Sequence, residues 1–138
     1  MANDMKNIQP KTGKGESMVI FTQTDDLLTW LLPRCESFPK SHRFGVIQRL
    51  QDAALDFQET LFLANAHSSE QRWDDLKTAD AHLNKLRLYL KFAHQWHWLS
   101  SGQFQHVSQM VTLIGKLLGG WLRQTKGGAG MAGRAVRN

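Results

Sequence analysis

The sequence predicts an all-α protein, an up-down antiparallel four-helix bundle. Apolar residues recur at helical spacing in four long segments, and no segment shows the two-residue alternation of a strand. The connections between these segments are short, which favours antiparallel neighbours. With 138 residues the chain has the size of one domain with tails. We expect a flexible N-terminal segment at 1–23, the bundle at 24–125 and a flexible, glycine-rich basic tail at 126–138.

The first predicted helix begins at Thr24, a good N-cap residue, and ends or kinks at Pro33, which lacks a backbone donor. Its apolar residues are Leu27, Leu28, Trp30, Leu31 and Cys35. The second predicted helix runs from about residue 41 to residue 65. Its expected buried side consists of Phe44, Ile47, Ala54, Leu55, Gln58, Leu61 and Phe62.

The third predicted helix spans residues 71–99 and follows a capping serine, Ser68 or Ser69. The fourth runs from Gln103 to about Gln124. Its expected core residues are Phe104, Val107, Val111, Ile114, Leu118, Trp121 and Leu122. Gly115 and Gly119 lie four residues apart in it, and this spacing leaves a narrow strip where another backbone can approach closely.

The third predicted helix is apolar on two opposite sides. At about 100° per residue, one side carries Leu76, Ala79, Leu83, Leu86, Leu90 and Ala93. The other side carries Leu88, Tyr89, Phe92, Trp96 and Leu99. A helix in a monomeric bundle needs one apolar stripe. The second stripe therefore predicts self-association, with Leu88, Tyr89, Phe92 and Trp96 as the interface.

Charge is divided unevenly along the chain. Residues 25–76 carry five basic and nine acidic side chains, a net charge of −4. Residues 77–138 carry nine basic side chains and the single acid Asp80, a net charge of +8. This asymmetry indicates a basic surface for a polyanion on the C-terminal half. The alternative is that the acidic helices neutralise the basic ones across the fold.

A basic strip lies between the two apolar sides of the third helix. It contains Lys77, Arg87 and Lys91, with Asn84 between them. Lysine offers phosphate a mobile charge, and arginine offers a planar fork that binds phosphate in a bidentate manner. The alternative is a solvated helix surface on which Asp80 pairs with Lys77 or Asn84.

No catalytic or metal-binding set assembles from the sequence. The single cysteine, Cys35, is expected to be a small buried hydrophobe. His94, His97 and His106 have no nearby carboxylate to complete a metal shell, and His97 falls close to the core face. We therefore expect no enzyme activity, cofactor, metal or small-molecule substrate. No apolar run approaches the roughly 20 residues that cross a bilayer, so we expect a cytoplasmic protein without a membrane partner.

Several short motifs occur together in an order that is typical of one family. They are WLLP at 30–33, FPKSHRF at 38–44, ADA at 79–81, LRLYLKF at 86–92 and LLGGWL at 117–122. With these motifs, residues 24 to 125 resemble the accessory variability determinant (Avd) of diversity-generating retroelements. The same family includes four-helix-bundle proteins encoded in intervening sequences of bacterial 23S ribosomal RNA genes.

The resemblance implies a bacterial or phage-encoded homopentameric barrel that binds a reverse transcriptase and nucleic acid, either template RNA or its DNA copy. Such a complex makes error-containing cDNA that diversifies a target gene. Arg87 and Lys91 match the family's basic positions, so the resemblance implies a binding role for them. Charge and position add five further candidates, which are Lys77, Arg43, Lys40, Lys116 and Arg123. The alternative function is a structural oligomer of the ribosomal intervening-sequence type, without a retroelement role.

Overall fold

Four α-helices pack side by side in the described part of the chain. The computed structural model describes the backbone of residues 15–137 and the side chains of residues 19–126. The helices are α1 (Gly15–Cys35), α2 (Gln48–Ala66), α3 (Ser69–Gln95) and α4 (Ser101–Arg137), and these residues contain no strand. Helix α1 packs against α2 and α4, while α3 packs against α2 and α4. The prediction of an all-α four-helix bundle is confirmed.

Ring contacts show that neighbouring helices run antiparallel. Phe21, near the start of α1, lies 5.0 Å from Phe62 near the end of α2. Further along α1, Trp30 lies 5.2 Å from His106 near the start of α4. His94 at the end of α3 stacks on Phe104 at a centroid distance of 4.3 Å. These contacts fix which end of each helix meets which end of its neighbour.

The core is the apolar interior of the bundle, and each helix contributes one stripe to it. The stripe of α3 consists of the six predicted residues, Leu76, Ala79, Leu83, Leu86, Leu90 and Ala93. The stripe of α4 includes Val107, Val111, Ile114, Leu118 and Trp121, as periodicity predicts. Burying one leucine side chain contributes about 1.5–3 kcal/mol, so these stripes hold the bundle together. Among the described residues, no helix is both long and apolar enough to span a bilayer.

Helix α1 starts earlier than the sequence predicted. It begins at Gly15, and Thr24 is a fully buried residue inside it, so the prediction of an N-cap at Thr24 is wrong. The apolar stripe extends upstream because Ile20 is also fully buried. Residues 15–23, expected to be flexible, are therefore helical. The remainder of the predicted flexible segment, residues 1–14, lies outside the described residues.

The link between α1 and α2 is irregular. A 3₁₀ turn at Lys40–His42 and a π turn at Arg43–Ile47 precede α2, and Gly45 has non-helical backbone angles (φ −111°, ψ −110°). Helix α2 therefore begins at Gln48, and not near residue 41 as predicted. Because the helix is broken here, Phe44 is 83% exposed and does not reach the core.

The predicted buried side of α2 is partly wrong. Leu55 and Phe62 are exposed, and Gln58 is half-buried. The core side lies further around the helix, where Leu50, Phe57 and Leu61 are fully buried. Leu55 and Phe62 instead lie on the flank of α2 that faces α1, at the edge of the contact between the two helices.

Helix α3 ends four residues before the predicted Leu99, which changes the positions of Trp96 and Leu99. His97 takes a left-handed conformation (φ 63°), and the Trp98 N–H donates to the Ala93 carbonyl at 2.8 Å. This is a Schellman C-cap with histidine where glycine is usual. Trp96 therefore lies just beyond the helix, and Leu99 turns inward and is buried. His97 is exposed, so the prediction that it falls close to the core face is wrong.

A capping box starts α4 immediately after this turn. The Gln103 N–H donates to the Ser100 hydroxyl oxygen at 3.1 Å, and the Ser100 N–H donates to Gln103 Oε1 at 2.9 Å. Helix α4 continues past its predicted end at Gln124 to Arg137. The side chains of the predicted basic tail beyond Lys126 lie outside the described residues.

Arg72 joins α2, α3 and α4. From the first turn of α3, its Nε donates to the Ala64 carbonyl of α2 at 2.8 Å, and its guanidinium lies 5.8 Å from the Trp121 ring of α4. Beside it, His67 Nδ1 lies 2.6 Å from Asp75 Oδ2 across the turn between α2 and α3. Partial burial lowers the pKa of Arg72 from its ordinary value, although the side chain stays charged. These contacts fix the α2–α3 turn, whose cap residue Ser68 makes no side-chain cap hydrogen bond.

We expect Arg72→Ala to lower the free energy of unfolding by about 1–3 kcal/mol, because the Ala64 carbonyl loses its charged partner. Arg49→Ala removes an exposed arginine of α2 and is the matched control, with an expected change within about 0.5 kcal/mol. Urea unfolding followed by circular dichroism measures both. Equal effects of the two substitutions would contradict the structural role of Arg72.

Candidate nucleic-acid interface

The predicted basic strip of α3 lies on the flank that faces α4. Lys77, Arg87 and Lys91 are exposed there. The side chain of Arg87 reaches across to Gly115 of α4, and His94 on the same flank stacks on Phe104. The strip therefore borders the contact between the two helices and does not lie on an isolated helix surface.

Helix α4 carries three further exposed cations, of which Lys126 lies near Trp73 of α3 and Arg123 lies beside Gly119, one turn from Gly115. Lys116 and Arg123 are exposed, as is Lys126, which was not among the predicted binding residues. Near the start of α3, the ring of Trp73 lies close to one cation of each helix. Lys77 Nζ lies 5.4 Å and Lys126 Nζ lies 5.8 Å from its centroid. We call these six cations the basic face: Lys77, Arg87, Lys91, Lys116, Arg123 and Lys126.

Arg87 is held in place within the basic face. Its Nη1 donates to Asn84 Oδ1 at 2.7 Å, one helical turn earlier. The guanidinium lies over Gly115, where a methyl group would overlap Nη2 and approach Cζ to 3.6 Å. The glycine strip predicted to admit another backbone is thus occupied by an arginine side chain at Gly115. At Gly119, by contrast, a methyl group would meet only Arg123 Nη1, at 3.4 Å.

The basic face keeps its positive charge. Among the described side chains the only ion pair joins His67 and Asp75 at the α2–α3 turn, and it involves none of these six cations. Asp80, the one acid among residues 77–126, makes no ion pair with Lys77 or any other described cation, and Asn84 bonds to Arg87 instead. The pairing of Asp80 with Lys77 or Asn84, which belonged to the alternative interpretation of this strip, is therefore absent from the described side chains. Six uncompensated cations give this side a strong attraction for phosphate groups.

Two of the predicted binding residues lie elsewhere. Lys40 is exposed on the 3₁₀ turn before α2. Arg43 lines an open groove between α1 and α2 and lies 5.7 Å from the Phe44 ring. The structure therefore does not bring Lys40 and Arg43 together with the basic face.

A comparison with protein-family models decides the family. The bAvd-like family model matches residues 18–125, which include nearly all of the bundle and the whole basic face except Lys126. This chain belongs to the bAvd-like family. The match confirms the resemblance to Avd proteins that the short motifs indicated. A comparison with curated proteins found no match.

In this bAvd-like protein, the predicted interface residues of α3 are not equally accessible. Leu88 and Trp96 are each 45% exposed. Phe92 is half-buried and stacks on Trp96 at 5.1 Å, with an angle of 9° between the rings. Tyr89 is half-buried and packs against the core of the bundle. Of the four predicted interface residues, Leu88 and Trp96 are therefore the exposed ones.

The aromatic residues near Trp96 continue onto the α1–α2 link. His42 lies 6.3 Å from the Trp96 ring and 5.1 Å from the Trp98 ring. Trp98 in turn lies 5.5 Å from Phe38, which is buried. These contacts tie the α1–α2 link to the α3–α4 turn and hold Trp96 in place although it lies outside a helix. Sequence periodicity did not reveal this cluster, since its members come from two irregular segments.

The described residues contain no group of three or more His, Cys, Asp or Glu side chains that could hold a metal ion. His94 instead stacks on Phe104 and lies 3.4 Å from the Ser101 hydroxyl. Cys35 is buried, and its burial raises the pKa of the thiol to about 11. At neutral pH the thiol is therefore protonated and a poor nucleophile.

We expect Cys35 in the native bAvd-like protein to react with iodoacetamide far more slowly than in the urea-unfolded chain. Its thiolate is scarce below a pH of about 11 and the bundle covers the sulfur. Mass spectrometry measures the alkylated fraction without ambiguity, since the chain has one cysteine. Equal rates in native and unfolded protein would contradict the buried, protonated thiol.

Proposed function

We propose that this bAvd-like protein is a non-enzymatic accessory protein of a diversity-generating retroelement. It binds the element's reverse transcriptase and nucleic acid, template RNA or cDNA, and supports mutagenic cDNA synthesis and retrohoming. The observation that carries the nucleic-acid part of the proposal is the basic face, whose six exposed cations lie on α3 and α4 in a stretch, residues 77–126, that contains one acid, Asp80. Membership of the bAvd-like family supports the retroelement part.

The chemistry of the basic face fits the sugar-phosphate backbone and not a base sequence. Lysine and arginine side chains neutralise phosphates and release counterions, which gives affinity that falls steeply with salt. Such contacts position a nucleic acid and do not read bases. An accessory protein with this surface would hold the template close to the polymerase, while the polymerase supplies the chemistry.

Self-association would repeat the basic face around a ring. The apolar surface at Leu88 and Trp96 supports contact with another copy, and the family resemblance implies a homopentamer. Each added copy contributes another six cations, so a ring binds a long nucleic acid at several sites at once. The effective affinity then exceeds that of one face.

Arg87→Ala combined with Lys91→Ala should weaken binding to a uridine-homopolymer RNA and flatten its salt dependence. Each phosphate contact on a single strand contributes about 0.7 to the slope of log affinity against log salt, so losing two contacts lowers the slope by about 1.4. Fluorescence anisotropy across a salt series measures the slope. The matched control is Arg49→Ala with Lys85→Ala. It also removes two exposed cations, of which Lys85 lies roughly 160° around α3 from Arg87.

If the control weakens binding as much as the Arg87 and Lys91 pair, the basic face is not the binding site. If both variants retain wild-type binding to the RNA and to the reverse transcriptase, the structural-oligomer function is favoured instead.

Leu88→Glu combined with Trp96→Glu should give smaller particles in sedimentation velocity. The two substitutions replace two exposed apolar side chains of each copy with carboxylates, which would repel one another across the interface. Leu113→Glu is the control, since Leu113 is similarly exposed (40%) but lies on α4. Circular dichroism verifies that each variant remains helical. An unchanged particle mass for the Leu88 and Trp96 variant would contradict this interface.

A further inference from the structure

Arg87 differs from the other cations of the basic face because two residues restrain its position. Asn84 holds it from its own helix through the hydrogen bond between Arg87 Nη1 and Asn84 Oδ1, at 2.7 Å. Gly115 of the facing helix admits it, because the guanidinium occupies the space that a side chain there would fill. Leu83 closes the same space from α3, with its Cδ2 3.8 Å from the ideal methyl position of Gly115.

Asn84 and Gly115 are both uncharged, so neither neutralises the positive charge of Arg87. The amide oxygen of Asn84 is a neutral acceptor, whereas a carboxylate in its place would neutralise the guanidinium. One hydrogen bond to Asn84 leaves the remaining N–H groups of the guanidinium free for another acceptor. Arg87 is also exposed, so a phosphate can reach it.

An added methyl group would disturb a neighbouring side chain far more at Gly115 than at Gly119. Glycine in a helix interior is less favourable than alanine by about 1 kcal/mol, so a close contact that alanine would disturb is a reason for glycine at that position. At Gly115 that reason is Arg87 Nη2, which a methyl group would overlap. At Gly119 a methyl group meets only the end of the flexible Arg123 side chain, at 3.4 Å.

We propose that Gly115 and Asn84 are positioning residues that hold the Arg87 guanidinium in a preorganised geometry for a phosphate group of a nucleic acid. This inference rests on the proposed nucleic-acid function and adds a role for two uncharged residues. A guanidinium held before the ligand arrives loses less conformational freedom on binding. Immobilising such a side chain in advance improves affinity by about two- to ten-fold.

Gly115→Ala tests the proposal. We expect it to weaken binding to a fluorescein-labelled uridine-homopolymer RNA by about two- to ten-fold, since the methyl group displaces the guanidinium. The melting temperature should stay the same or rise, because alanine favours the helix. Gly119→Ala is the matched control and should leave the affinity unchanged. Asn84→Ala should weaken binding in the same range as Gly115→Ala.

The Arg87→Ala background separates positioning from a general structural effect. There, Gly115→Ala should cause no further loss of affinity, because the side chain it displaces is already gone. An equal loss in both backgrounds would overturn the positioning role, as would wild-type affinity for Gly115→Ala. If Arg87→Ala weakens binding and Gly115→Ala does not, the proposed function stands and this inference fails. If Arg87→Ala binds the RNA like the wild type, the role of Arg87 in the proposed function fails, and the inference with it.

Discussion

The antiparallel packing of α3 along α4 is the contact on which the basic face depends, because neither helix carries the whole set of cations. The tight turn between the helices fixes their register. The Schellman cap satisfies the Ala93 carbonyl, and the capping box of Ser100 and Gln103 starts α4 directly afterwards. At the other end, Arg72 contacts α2 and Trp121. With the register fixed at both ends, Arg87 meets Gly115.

The charge asymmetry of the sequence is graded along the helices. Six of the twelve acids lie in α1 and α2, and Glu70, Asp74 and Asp75 lie in the first turns of α3. Asp80 is the only acid in the rest of α3 and in α4, which carry the cations of the basic face. Among the described side chains the acids do not pair with these cations across the fold, since the only ion pair is between His67 and Asp75. The interpretation that the acidic helices neutralise the basic ones at close range is therefore not supported. Exposed charges further apart than about 8–10 Å are largely screened at physiological salt.

Periodicity predicted the core stripes of α3 and α4 well, because a helix that is long and regular keeps its phase, as Leu76 to Ala93 show. It failed where the backbone is irregular. Gly45 breaks the phase before α2, which leaves Phe44 exposed, and His97 ends α3 without the usual glycine signal. The cations of α3 were identifiable from charge alone. The position of Arg87 over Gly115 could not be predicted in this way. It depends on which α4 residue lies opposite Arg87, and a single sequence does not show how two helices are aligned.

Protection of individual lysines by RNA would show whether the α3–α4 side of the bundle is the nucleic-acid surface. The protein is acetylated with and without a uridine-homopolymer RNA, and mass spectrometry measures the acetylated fraction of each lysine. We expect the RNA to protect Lys91 and Lys116, while Lys85 on the outer side of α3 and Lys40 on the α1–α2 link react as in the free protein. Protection of Lys85 and Lys40 equal to that of Lys91 and Lys116 would contradict this expectation, as would no protection of any lysine.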